Sequence, residues 1–143
     1  MIVLDTNVVS ELMRPAPEVV VVEWVDRQVA DDVYLTAVTL AELLYGIARL
    51  PAGRRKSTLA EMLEAMVVED FDHRVVGFDA TAAAHYADIV VGRERAGRPI
   101  SAADAQIAAV CRSHDAVLAT RNVDDFTDTG ITVVNPWTSD GRR

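Results

Sequence analysis

Ile2-Val3-Leu4-Asp5-Thr6-Asn7 runs three apolar residues straight into a carboxylate. So short and uninterrupted an apolar run reads as a strand covered on both faces, because a half-wet strand alternates apolar and polar residues. Similar runs return at Val33-Tyr34-Leu35-Thr36, at residues 75–78, at Val117-Leu118-Ala119-Thr120 and at Ile131-Thr132-Val133-Val134. The stretches between them suit helices. Residues 8–13 read as a helical turn stopped by Arg14-Pro15-Ala16-Pro17, and residues 18–29 as a helix, although its valines also suit a strand. Residues 39–50 end at Pro51-Ala52-Gly53, and residues 54–68 put Leu59, Met62, Leu63 and Met66 on one face. Residues 81–96 stop at Gly97 and Pro99, and Ser101 caps a helix over 102–114. Buried strands alternating with helices predict an α/β fold, a three-layer α/β/α sandwich around a mostly parallel sheet of four or five strands. The 143 residues suffice for one domain, expected over 1–143, and not for two ordinary ones.

In an open parallel sheet, ligands bind beyond the carboxyl ends of the strands. Four acidic residues fall there. Asp5 ends the first strand, and Glu42 lies one to two helical turns past Thr36. Asp125 follows the strand ending at Thr120, and Asp104 is in the first turn of its helix. Asp104 is also the only charged residue between Arg98 and Arg112. A carboxylate in so apolar a helix is costly to bury without a partner. Carboxylates converging on one pocket repel, and a divalent cation relieves that. Hard oxygen ligands suit Mg²⁺ or Mn²⁺, which points to metal-dependent chemistry on a phosphate ester.

Each acid has an ordinary structural role beside the chemical one. Asp5 can cap the helix that follows. Thr39-Leu40-Ala41-Glu42 matches a capping box, and Ser101-Ala102-Ala103-Asp104 has the same spacing with a shorter acid. Asp124 and Asp125 can be turn residues. These roles do not explain why all four acids gather at one end of the sheet.

Half the residues are apolar, which excludes a disordered chain. There is no apolar run of membrane-spanning length and no signal-peptide pattern, so a cytoplasmic protein with no membrane partner is expected. The lone Cys111 reads as a small buried hydrophobe. His73, His85 and His114 lack metal-ligand spacing. The net charge of −8 weighs against a nucleic-acid binder without excluding one. Basic residues group at Arg54-Arg55-Lys56 and at Arg93, Arg95 and Arg98, and both groups read first as solvated faces.

Taken in order, these pieces resemble the PIN-domain ribonucleases, in particular the VapC and FitB-like toxins of bacterial toxin–antitoxin pairs. Ile2-Val-Leu-Asp-Thr-Asn7 is similar to their first strand and first acid. Thr36-Ala-Val-Thr-Leu-Ala-Glu42-Leu-Leu-Tyr-Gly46 is similar to their second motif, and Ala103-Asp104-Ala-Gln-Ile-Ala-Ala109 to their third. Ala119-Thr-Arg-Asn-Val-Asp-Asp125-Phe126 resembles the fourth, and Val134-Asn135-Pro136-Trp137 their C-terminal end. The resemblance covers nearly the whole chain. Some members carry Asp two residues after the Thr of the fourth motif, where this chain has Asn122. Others carry the acid just before the Phe, where it has Asp125. The fourth role is therefore carried to Asp125, with Asp124 or Asn122 as alternatives.

The resemblance implies a PIN-like sandwich and an endoribonuclease that uses Mg²⁺, for which Mn²⁺ can substitute. It also implies a homodimer, an RNA substrate and a cognate antitoxin. Asp5, Glu42, Asp104 and Asp125 become the catalytic and metal-binding set, with Asn122 and Thr6 orienting water or metal. Arg14, Arg54, Arg55, Lys56, Arg98 and Arg121 are candidates for gripping RNA phosphates. One alternative is a phosphatase or phosphotransferase with Asp5 as nucleophile. Haloacid-dehalogenase-type enzymes pair that Asp with a second one two residues on, where this chain has Asn7. The other alternative is a non-catalytic subunit whose carboxylates only cap helices.

Overall fold

Three residues of unbroken apolar sequence are enough to make β1 (Ile2–Leu4), because the strand lies at the centre of the sheet with pairing on both sides. The computed structural model describes residues 1–138, so residues 139–143 of the expected domain lie outside the described residues. After β1 come α1 (Thr6–Leu12), α2 (Val19–Asp26), β2 (Val33–Thr36), α3 (Ala37–Ala48) and α4 (Arg54–Ala65). Then follow β3 (Val75–Val76), α5 (Ala80–Arg95), α6 (Ala102–Ser113), β4 (Val117–Ala119) and β5 (Thr132–Val134). The five strands are ordered β3-β2-β1-β4-β5, and every pairing is parallel.

Side-chain alternation along these strands builds two cores. Val3, Leu118 and Val133 point to one face and pack with Ile89 of α5 and Ile107 and Val110 of α6. Leu4, Leu35 and Ala119 point to the other and pack with Val8, Val21, Leu43 and Leu63 of α1 to α4. The three expected layers are therefore present. Helix α3 straddles the edge, giving Val38 to one core and Leu43 to the other. Cys111 is buried in the first core, and burial pushes its thiol up to about 12, as its reading as a small hydrophobe requires.

The boundaries differ from expectation where a cap was misread. The third strand stops at Val76 rather than residue 78, and Asp79 caps α5 by accepting the Ala82 N–H at 3.0 Å. Helix α3 starts at Ala37 rather than residue 39. Its cap is Thr36, whose Oγ1 accepts the Thr39 N–H at 3.0 Å, so the capping box at Thr39 and Glu42 does not form. Arg93, read as part of a solvated face, is only 5% exposed. The first strand forms one side of the reversal in strand order, with β2 and β4 running beside it in the same direction. The cleft that this topology opens beyond their carboxyl ends is where Asp5, Thr36 and Thr120 stand.

Candidate active site

Asp5 takes its position from the backbone. Its N–H continues the β1–β4 ladder to the Ala119 carbonyl at 2.9 Å, and its side chain caps α1 by accepting the Thr6 N–H at 2.8 Å. The capping role and a place in the cleft thus coexist in one residue. The other carboxylate oxygen accepts from Thr120 Oγ1 at 2.7 Å and from Asn7 Nδ2 at 3.2 Å. Asn7 also donates to Thr120 Oγ1 at 3.1 Å, and its own Oδ1 accepts the Arg121 N–H at 3.1 Å. Thr120 Oγ1 further accepts the Asn122 N–H at 3.1 Å. Asp5 is only 4% exposed, and burial raises its pKa against the opposing pull of the Thr120 and Thr6 bonds, with the Glu42 charge raising it further.

Asp104 stands in the first turn of α6, where Ser101 Oγ accepts its N–H at 3.2 Å. Its carboxyl is pushed from the ordinary 3.8 up to about 6. Burial is the main cause and the Asp5 charge the next; a Ser101 hydrogen bond opposes them, and Asp125 and Glu42 add further repulsion. The other three acids foreseen in the sequence therefore all act on this one group. Glu42 is exposed on α3, and its Oε1 accepts from Thr6 Oγ1 at 2.6 Å. Thr6 Oγ1 also shares a hydrogen bond with Thr39 Oγ1 at 3.1 Å.

Asp5, Glu42 and Asp104 line a cavity of about 490 Å³ together with Thr6, Asn7 and Asn122. Asp125 lines the neighbouring one with Asp124 and Asn135, and Asn122 and Arg121 belong to both. Asp125 thus reaches the acids from the side. Among the described residues no three acidic, histidine or cysteine side chains are close enough to make a ready metal cage. The donors nevertheless suit a hard cation: Mg²⁺ is held by one or two carboxylates and keeps several waters, and burial together with the neighbouring acids raises the Asp104 carboxyl.

The basic candidates divide. Arg14 and Arg121 line the acidic cavity; Arg14 pairs with Glu11 at 3.2 Å, and the Arg121 guanidinium lies 5.1 Å from the Trp137 ring centre. Arg54 and Arg55 line an apolar groove of about 1180 Å³ that shares Thr6, Ser10, Arg14 and Glu42 with the acidic cavity. Lys56 and Arg98 line neither. Lys56 donates to the Ala48 carbonyl at 3.2 Å, and Arg98 stands 3.8 Å from Asp128.

Sequence reasoning passed over Asn7 and Thr120 as site residues, and it passed over Glu11. Glu11 lies buried at the rim of the cavity and accepts the Glu18 N–H at 3.0 Å; that bond, more than Arg14, holds its pKa below the usual range. An acid inside the apolar turn at residues 8–13 was the available signal.

Residues 2–131 match the family described as PIN domain. The chain belongs to this family. As a PIN domain it is 44% identical to Toxin FitB of Neisseria gonorrhoeae over 137 residues, covering 96% of this chain and 99% of that one. It is 41% identical to VapC ribonuclease Y4jK of Sinorhizobium fredii, covering 96% and 98%. Its fold matches the solved structure of FitAB bound to an IR36 DNA fragment, with a TM-score of 0.90 and 42% identity over 96% of each chain. The acids above thus sit in a PIN-domain frame that spans nearly the whole chain.

Proposed function

We propose that this PIN domain is a Mg²⁺- or Mn²⁺-dependent endoribonuclease, the toxin of a toxin–antitoxin pair, and that residues 1–143 form one domain. The observation that carries the reading is that Asp5, Glu42 and Asp104 line one cavity at the carboxyl end of the sheet and Asp125 lines the cavity adjoining it. Gathering like charges in a half-buried cleft destabilises a protein unless a cation is its normal occupant. Asp5 and Asp104 would hold the ion, with Glu42 and Asp125 binding it directly or through water. When bound, such an ion lowers the pKa of its water and offsets charge on the phosphate. The Asn7 and Thr120 hydrogen bonds aim the Asp5 carboxylate and favour its ionised form against the effect of burial. Thr6 orients Glu42, and Asn122 stands between the two cavities where it can hold a water. Arg14 and Arg121 are suited to take RNA phosphates at the rim. A nucleophilic Asp5 is disfavoured, because the position two residues on, where such enzymes carry a second acid, is Asn7, whose amide is spent on Asp5 and Thr120.

A relative named Toxin FitB and a structure described as FitAB bound to DNA support an antitoxin partner for this chain as well. The groove lined by Met13, Leu43, Ile47, Leu59 and Met62 is open to an apolar segment of it. An antitoxin Arg entering the adjoining acidic cavity would pair with the carboxylates. Leu44 and Tyr45 on α3 and Val91 on α5 are among the exposed apolar side chains available to a homodimer interface. No helix among the described residues is long and apolar enough to cross a membrane. The test is cleavage of total cellular RNA by the purified chain with Mg²⁺ or Mn²⁺, with EDTA, and with Asp104→Asn. Metal-dependent cleavage lost in the variant supports the reading. A chain inert with metal and harmless when induced without its partner is a binding subunit instead.

A further inference from the structure

Arg93 is the only Lys or Arg among the described residues that is buried, and none of the ion pairs among those residues includes it. Two of its guanidinium nitrogens donate to backbone carbonyls. Nε donates to Arg98 O at 2.6 Å, and Nη1 donates to Asp125 O at 2.8 Å and Thr127 O at 3.0 Å. These acceptors lie on two separate segments. Arg98 precedes Ser101, the cap of the helix whose first turn carries Asp104. Asp125 and Thr127 lie between β4 and β5, on and just after the 3₁₀ turn Val123–Phe126. The remaining carbonyls of that turn's end are held as well: Thr127 Oγ1 donates to Asp124 O at 3.0 Å and Thr129 Oγ1 to Phe126 O at 2.6 Å. The loop backbone is pinned from within, and the Asp125 side chain is left exposed beside the acidic cavity.

We propose that Arg93 is a positioning residue for the ribonuclease site: it ties the Asp125 loop to α5 and to the connection that leads into α6, and so sets how closely Asp125 approaches Asp104. The inference rests on the ribonuclease reading above. Closing the loop alone does not call for a cation. A buried charge without a carboxylate is costly, and apolar packing of the kind Phe126 provides does the same at less expense. The guanidinium contributes a planar fork of donors that reaches several carbonyls at fixed angles, which a lysine cannot do. That geometry is transmitted to the acids, since the cavity that Asp125 lines shares Arg121 and Asn122 with the one that holds Asp104.

The experiment compares Arg93→Lys and Arg93→Met in the full chain, each alone and combined with Asp125→Asn, after circular dichroism has established folding. Two quantities are read: the initial rate of cleavage of total cellular RNA with Mn²⁺, and Mn²⁺ affinity by calorimetry. Arg93→Lys is expected to lower both by about 10- to 100-fold, as loss of a group that orients metal ligands does. On the Asp125→Asn background it is expected to cost less than about twofold more, because residues acting through one another are not additive. Unchanged rate and affinity in a folded Arg93→Lys chain overturn the inference. So does an equal loss on both backgrounds, or failure of both variants to fold, each of which assigns Arg93 to stability alone. If the unsubstituted chain neither binds Mn²⁺ nor cleaves RNA, the ribonuclease reading falls and takes the inference with it.

Discussion

At the end of β1, Asp5 has both carboxylate oxygens engaged, by the Thr6 N–H on one and by Thr120 and Asn7 on the other. In the first turn of α6, Asp104 faces the same cavity with a Ser101 hydrogen bond set against burial and three neighbouring acids. The two residues are chemically identical, and both have raised pKa values dominated by burial. The difference lies in what compensates them. Asp5 is a fixed carboxylate built into the fold, whereas Asp104 carries repulsion that the fold leaves unrelieved. In the proposed metal site, a carboxylate of the first kind would supply rigidity and one of the second kind the drive to bind a cation.

The comparison breaks most visibly in catalysis. Asp5→Asn and Asp104→Asn are both expected to lower metal-dependent RNA cleavage by on the order of 10³-fold or more, measured on purified chains with total RNA. Cleavage retained in either would remove that acid from the chemistry.

A smaller effect separates the supports of the two acids. Asn7→Ala or Thr120→Val frees the Asp5 carboxylate and is expected to lower cleavage about 10- to 100-fold. Ser101→Ala removes only a helix cap and is expected to cost about 1 kcal/mol of stability, with a smaller loss of rate. Equal rate losses from the two sides would show that Asp5 and Asp104 are held alike.

Metal should stabilise the fold through Asp104. With Mn²⁺ at about 100 times its dissociation constant, the native chain is expected to gain about 2.7 kcal/mol, and the Asp104→Asn chain little or nothing. Thermal unfolding with and without Mn²⁺ reads this directly.

The last contrast is one of sign in the metal-free protein. Asp5→Asn puts an amide nitrogen or a weaker acceptor before the Thr120 and Asn7 donors and is expected to destabilise by about 1–2 kcal/mol. Asp104→Asn is expected to raise the melting temperature at neutral pH. Because the folded pKa of about 6 exceeds the ordinary 3.8, the native state holds this proton more tightly than the unfolded chain. The resulting stability is present below about pH 4 and is lost as pH rises through about 6. The advantage of Asp104→Asn should therefore be absent near pH 4 and evident at pH 7. A lower melting temperature at both pH values would mean that Asp104 serves α6 as a first-turn acid and little else.

The sequence by itself was enough for the layers, the strands and the placing of four acids toward one end of the sheet. Apolar runs and helix stops are local signals, and a parallel sheet gathers whatever follows its strands at one edge. Ser101 and Asp5 were legible as caps for the same reason, since a cap and its target lie within three residues. What only the tertiary structure decided is how each acid is held. Asn7 meets Thr120 across 113 positions of chain, Thr6 meets Glu42 across 36, and Arg93 reaches the Asp125 carbonyl across 32. The capping box expected at Thr39 fails for a related cause: Thr36 already bonds the Thr39 N–H, which leaves Glu42 to Thr6. Hydrogen bonds and charge repulsion depend on separation in space, and burial sums over every neighbour. Neither quantity has a period or spacing that a linear sequence displays, so the difference between Asp5 and Asp104 exists only once the chain has folded.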